Sequence, residues 1–159
     1  REVAEQCEAG YVKQRSIMSG RIAFKIYNVK GENLGYIGYK VEDGTWFFPK
    51  GFKRPLYNSY QIKSNEFVIV TTDPFDALRF IALGINEVVC LLANSMTTEQ
   101  EEELKNFKSI LLLHREPQNI INRLTNSTYV KAPNFTSQFK EMSNEELKSI
   151  VNTSLKVQN

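Results

Sequence analysis

Between residues 66 and 133 the sequence alternates short apolar runs with polar, helix-forming stretches, and this rhythm constrains the fold more than any other feature. "EFVIVTT" (66–72) is a continuous apolar run rich in β-branched residues, the pattern of a strand buried on both faces. "INEVVCLLA" (85–93), "KSILLLH" (108–114) and "STYVKAP" (127–133) read as further strands. The stretches between them read as helices. Residues 74–83 carry an apolar stripe of Phe75, Leu78, Ile81 and Ala82, residues 97–107 are acidic at their front, and 117–124 is short. Parallel neighbours need a crossover, so the order β-α-β-α-β-α-β predicts a four-stranded, mostly parallel sheet flanked by helices. A last helix is expected over 143–151, followed by a tail that frays.

The chain before this region keeps a different period. "GRIAFKIYN" (20–28) alternates, with Ile22, Phe24 and Ile26 on one side and Ala23, Lys25 and Tyr27 on the other. "LGYIGYKV" (34–41) is a returning strand whose two glycines predict a bulge or a close backbone approach. "TWFFP" (45–49) follows the Asp43-Gly44 turn as a third short strand. The whole is an α/β chain: a small antiparallel β-rich unit over 1–62, the parallel-sheet domain over 63–151 and the tail over 152–159.

Composition narrows the class. With 42% hydrophobic and 24% charged residues, the chain is globular material rather than a disordered one. Nothing in it is long and apolar enough to span a membrane. Cys7 and Cys90 sit in unrelated settings, so neither a disulfide framework nor a zinc site is expected, and a reducing, cytoplasmic location follows. The chain opens on Arg1 and reads as a piece of a larger protein. Residues 1–65 hold eleven Lys or Arg against six Asp or Glu, a balance of +5, whereas residues 66–159 hold nine against twelve, a balance of −3. A surface facing a polyanion is permitted on the first half.

In parallel sheets, sites gather at the carboxyl ends of the strands. Three segments qualify: "TTDPFD", "ANSMT" and "HREPQ". Each also reads as a helix start. Asp73 suits an N-cap with Pro74 at the first helical position and Asp76 at the third, and Thr97 with Gln100 makes a capping box. Glu116 before Pro117 and Ser143 with Glu146 repeat the theme. Capping alone thus accounts for much of this polarity. Asp76, His114 and Glu116 form a loose candidate metal cluster, with Asp76 and Glu116 as the oxygen donors; histidine makes it a poor magnesium site. The segment "TWFFPKGFKRPLYN" (45–58) interleaves rings with cations, which suits single-stranded nucleic acid. Trp46, Lys50, Lys53 and Arg54 are the candidates there, and Arg21 and Lys25 would widen the same face. Ordinary core rings and surface lysines explain the pattern equally well.

The words "GRIAFKIYNVKGENLGYIGYK" and "WFFPKGFKRPLYN" resemble the segment that follows the zinc domain in bacterial and mobile-element DNA primases. "VIVTTDPFDALRFIALGINEVVCLLANSMTTEQ" and "ILLLHREPQNIINRL" resemble their Toprim domain, the catalytic module shared with topoisomerases. The resemblance covers nearly residues 15–150. It implies a nucleotidyltransferase that uses divalent metal, bound through Glu-Gly-x-x-Asp after the first strand and Asp-x-Asp after the third. At the matching positions this chain reads Thr72-Asp73-Pro74-Phe75-Asp76 and His114-Arg115-Glu116. A further acidic patch falls on Gln138-Phe139-Lys140, where the carboxylates are gone. Only Asp76 is retained outright, and Glu116 replaces an aspartate.

The expectation is therefore a primase-type homologue with degenerate metal-binding motifs and no primer synthesis. It would hold no cofactor, or Mg²⁺ or Mn²⁺ only weakly, and would bind single-stranded DNA or RNA, or a replication protein such as a helicase. Two alternatives stay open: a metal-dependent primase or other phosphoryl-transfer enzyme with an altered site, and a protein-interaction module using the acidic helix.

Overall fold

The computed structural model describes residues 1–13, 16–135 and 139–156. Its chain order is α1 (Glu2–Gln6), β1 (Ala9–Tyr11), β2 (Arg21–Tyr27), β3 (Asn33–Lys40), β4 (Thr45–Phe47), β5 (Phe67–Thr71), α2 (Pro74–Ala82), β6 (Val88–Cys90), α3 (Thr98–Leu104), β7 (Ser109–Leu112), α4 (Gln118–Leu124), β8 (Tyr129–Lys131) and α5 (Asn144–Lys156). Short 3₁₀ turns lie at Ser59–Gln61 and Phe139–Glu141.

The first four strands form an antiparallel sheet in the order β1-β2-β3-β4. Both devices expected of the β3 glycines are present. The register slips between Ile26 and Tyr27, opposite Gly35 at φ +115°. Gly38 lets Met18 and Arg21 lie against the backbone, because a Cβ there would sit 2.7 Å from the Met18 methyl and 2.8 Å from Arg21 Cδ. The sequence reading left residues 1–19 without structure, yet α1 and β1 occupy part of that stretch and β1 pairs with β2. A three-residue strand has too little alternation to be read from sequence.

The remaining strands form a second sheet in the order β6-β5-β7-β8, and all its pairings are parallel. β5 and β7 are buried along their whole lengths. One face, with Phe67, Ile69, Cys90 and Leu111, packs under α2, α5 and the antiparallel sheet. The other, with Val68, Val70, Val89, Ile110 and Leu112, packs on α3 and α4. This double burial is why the runs read as continuously apolar. The chain leaves β5 toward β6 but leaves β7 toward β8. The switch point of the sheet therefore lies between the carboxyl ends of β5 and β7.

The two sheets share one core. Phe24 of β2 packs edge-on against Phe75 of α2 at 5.0 Å between ring centroids, and Tyr39 does so at 5.1 Å. This contact corrects the expected helix stripe. The residues of α2 that bury against the parallel sheet are Pro74, Ala77, Phe80 and Ile81, while Phe75 and Leu78 are half-buried and Ala82 is exposed. The helix has partners on two sides, so its apolar surface is split rather than confined to one stripe.

Two ends also depart from expectation. Pro117 rather than Glu116 is the N-cap of α4, and it carries no side-chain cap bond. The expected frayed tail is helical as far as Lys156, where Val151 and Ser154 are buried and Ser154 Oγ donates to Ile150 O at 2.7 Å. No helix among the described residues is long and apolar enough to cross a membrane. Among them, Cys7 is half-buried, Cys90 is buried and both are free thiols.

Candidate functional site at the strand ends

The three polar segments expected to converge do so. Thr72, Asp73 and Asp76 from the β5–α2 junction, Asn94 from the loop after β6, and His114, Arg115 and Glu116 from the loop after β7 line a cleft of about 470 Å³ at the switch point. Phe135, Phe139 and Lys140 complete its wall. Arg79 of α2 holds that wall in place. It donates to Phe139 O at 3.2 Å, to Met142 O, and to Asn144 Oδ1 at 3.3 Å, tying the 3₁₀ turn and the start of α5 to α2. Arg79 and Phe135 escaped sequence reading because only the tertiary approach of distant segments gives them a role. Gln138 lies outside the described residues.

Capping explains part of the polarity, as expected. Asp73 Oδ1 accepts from Phe75 N at 2.7 Å as the N-cap of α2. Thr97 and Gln100 form a capping box for α3, and Ser143 and Glu146 exchange the matching pair of bonds at α5. Burial raises the Asp73 carboxyl above its usual range, against the pull of the Phe75 N–H. Asp76 is pushed up to about 7, first by burial and then by the neighbouring Asp73 charge, with Arg79 opposing. Near neutral pH its charge is thus only partly present.

His114 is buried, and both its ring nitrogens are occupied. Nδ1 accepts the Glu116 N–H at 2.9 Å, so Nε2 carries the proton and donates to Asn94 O at 2.7 Å. The ring is therefore the uncharged Nε2–H tautomer, stapling the loop after β7 to the loop after β6. Among the described residues, no three His, Cys, Asp or Glu side chains come together as a group able to hold a metal ion. The carboxylate and imidazole donors at the cleft are Asp76 and the capping Asp73, both raised by burial, His114 with both ring nitrogens hydrogen-bonded, and an exposed Glu116.

The six candidate nucleic-acid residues fall on different surfaces. Arg21 pairs across the antiparallel sheet with Lys40 and Thr45, whereas Ile22 pairs with Tyr39 and Trp46. Alternation therefore puts Arg21 and Lys25 on the outer face and Trp46 on the inner one. Arg21 lies over the Phe47 ring at 5.8 Å, and Lys25 pairs with Glu8 at 2.9 Å. Arg54 is committed to structure: it donates to Leu91 O at 3.1 Å, Ser95 O at 2.9 Å and Ser95 Oγ at 2.9 Å, pinning residues 53–58 to the loop after β6. Lys50 and Lys53 are exposed. Trp46 packs among Phe24, Tyr39, Phe48 and Phe75. It also lines a second cleft of about 390 Å³ with Ile37, Phe48, Thr72, Asp73, Pro74, Leu92, Ala93 and Asn94. Thr72, Asp73 and Asn94 are common to both clefts, which are therefore adjoining.

No family model matches the chain. A DNA primase of Clostridium acetobutylicum is 26% identical over 126 residues, a span that takes in 69% of this chain and 21% of that protein. The structure superposes on the zinc-binding and RNA polymerase domains of the Aquifex aeolicus primase with a TM-score of 0.80, at 21% identity, over 96% of this chain and 52% of that one. It matches the DnaG primase catalytic domain bound to single-stranded DNA with a TM-score of 0.76 at 12% identity, over 96% and 67% of the two chains. For the primase fragment of the bacteriophage T7 primase-helicase protein the score is 0.72 at 12% identity, over 94% and 70%. The fold is that of the Toprim-type catalytic core of bacterial and phage DNA primases. The chain spans about a fifth of the curated relative and about half of the Aquifex structure.

Proposed function

We propose that this chain is a primase-type core in which metal-dependent primer synthesis has been lost and binding of single-stranded nucleic acid, within a replication assembly, has been kept. The observation that carries the reading is His114. The strand end where the resemblance places a metal-binding carboxylate holds a neutral ring with no free nitrogen. Thr72 contributes a neutral oxygen where a carboxylate is implied, and Asp76 surrenders much of its charge near neutral pH. Phosphoryl transfer without covalent help from the protein depends on concentrated positive charge at the phosphates, and divalent ions supply it. A cleft that cannot gather them retains shape without that chemistry. The exposed Lys50 and Lys53 beside the aromatic loop supply sequence-independent attraction for a phosphate backbone.

The test is calorimetry with Mg²⁺ and with Mn²⁺ on wild type and Asp76→Ala, each with and without single-stranded DNA, alongside a primer-synthesis assay. The expected result is no resolved metal binding, salt-sensitive DNA binding and no primer. Metal binding that vanishes in Asp76→Ala, with primers formed by wild type, would establish the altered-site enzyme instead. Absence of both metal and DNA binding would leave the protein-interaction reading.

A further inference from the structure

The second cleft has two unlike walls. Ile37, Trp46 and Phe48 of the antiparallel sheet and the residues after it make one wall apolar and aromatic. On the other side Thr72, Asp73 and Asn94, at the ends of β5 and β6, set polar groups among Pro74, Leu92 and Ala93. A nucleobase has the matching anatomy: two π faces and a rim of donors and acceptors. At about 390 Å³ the space falls within the range of small-molecule sites. Its polar groups are equipped for a rim. Asn94 is exposed, and it is its backbone oxygen, not its carboxamide, that receives the His114 bond. The carboxamide thus offers both a donor and an acceptor. Cations lie close to the cleft in the chain and in the adjoining cleft. The loop carrying exposed Lys50 and Lys53 follows Phe48 in the chain, and the adjoining cleft carries Arg115 and Lys140, also exposed. Opposing them in the adjoining cleft are Asp73, Asp76 and Glu116.

We propose that the slot between the two sheets takes one unstacked base of a single-stranded nucleic acid. Its face lies on Trp46 and Phe48, its edge meets Asn94 and Thr72, and the flanking phosphates run from Lys50 and Lys53 to Arg115 and Lys140 without a metal ion. This rests on the reading that the chain binds nucleic acid, and it assigns the place where that binding becomes base-dependent. Electrostatic contacts alone would bind a backbone with or without bases; the slot makes the base matter.

Trp46 is the sole tryptophan, so its fluorescence reports on the slot alone. The experiment titrates the protein in EDTA with an oligothymidylate of about eight nucleotides, within the usual site size, and with an abasic oligomer of equal length. Fluorescence is followed together with the anisotropy of an end label. The expected result is saturable quenching by oligothymidylate and none by the abasic strand, whose affinity is at least about 5-fold lower because one stacked base is lost. Asn94→Ala, at an exposed side chain outside the core, and Phe48→Ala each weaken oligothymidylate by about 5-fold or more. Lys50→Gln with Lys53→Gln lowers the salt slope by about 1.4 and leaves quenching at saturation intact. Equal affinity for the two strands, with Trp46 unperturbed, overturns the slot while leaving nucleic-acid binding standing. No anisotropy change with either strand at low salt overturns both.

Discussion

Asp76 is a carboxyl whose ionisation the fold resists, and Asp76→Asn measures that resistance. Its carboxyl is moved from the ordinary 3.8 to about 7, chiefly by burial and secondarily by Asp73. The folded protein therefore binds this proton more tightly than the unfolded chain does. The associated stability is fully present below the unfolded value, falls as pH rises from about 4, and is entirely lost once pH passes about 7. About three units at 1.36 kcal/mol each would cost about 4 kcal/mol. The side chain is only partly buried and lies at a helix N-terminus that favours its charge, so screening and the helix dipole reduce this to about 2 kcal/mol. Asparagine keeps the shape and cannot ionise. Urea unfolding of the two proteins at a series of pH values from about 3 to about 8.5 should show them alike at the acid end, below the unfolded carboxyl value. At the alkaline end the variant should be more stable by about 2 kcal/mol, or about 4–8 °C in Tm for a chain of this size. A difference that stays flat across the series, or a variant that loses stability as pH rises, would refute the argument that Asp76 is held near neutrality.

Replacing Arg54 with Met should cost about 2–3 kcal/mol in urea unfolding, because three acceptors around Leu91 and Ser95 lose their donor, while the salt slope of DNA binding stays unchanged. Thr72→Glu combined with His114→Asp places carboxylates at both strand ends; the double variant should be less stable than wild type in EDTA and should regain Tm on adding millimolar Mn²⁺, whereas wild type should show no such response. Phe24→Ala opens a cavity where both sheets meet and should cost about 3–5 kcal/mol, with unfolding followed by Trp46 fluorescence and by far-UV circular dichroism remaining coincident.

The sequence by itself determined the two sheets, because strand burial leaves a periodicity that needs no tertiary information. Residues that face a core on both sides must be apolar throughout, as in β5 and β7, and residues that face it on one side must alternate, as in β2. It also determined the helix starts at Asp73, Thr97 and Ser143, whose bonds are made within a few residues of chain. That three polar segments meet followed from strand ends in a parallel sheet, and they do meet around the 470 Å³ cleft. What those side chains do there was decided only by tertiary structure. A lone histidine at a strand end, such as His114, reads as a satisfied polar residue more readily than as a ligand, but its partner, Asn94 O at Nε2, is fixed only by the loop after β6. Arg54 reads as a phosphate-binding cation until the same loop brings up two carbonyls and a hydroxyl. Arg21 and Trp46 read as one surface until pairing across β2, β3 and β4 puts them on opposite faces. The first two depend on partners twenty or more residues away and the third on which strands pair, and a side chain's hydrogen-bonding capacity, unlike its hydrophobicity, leaves no periodic trace of which partner takes it.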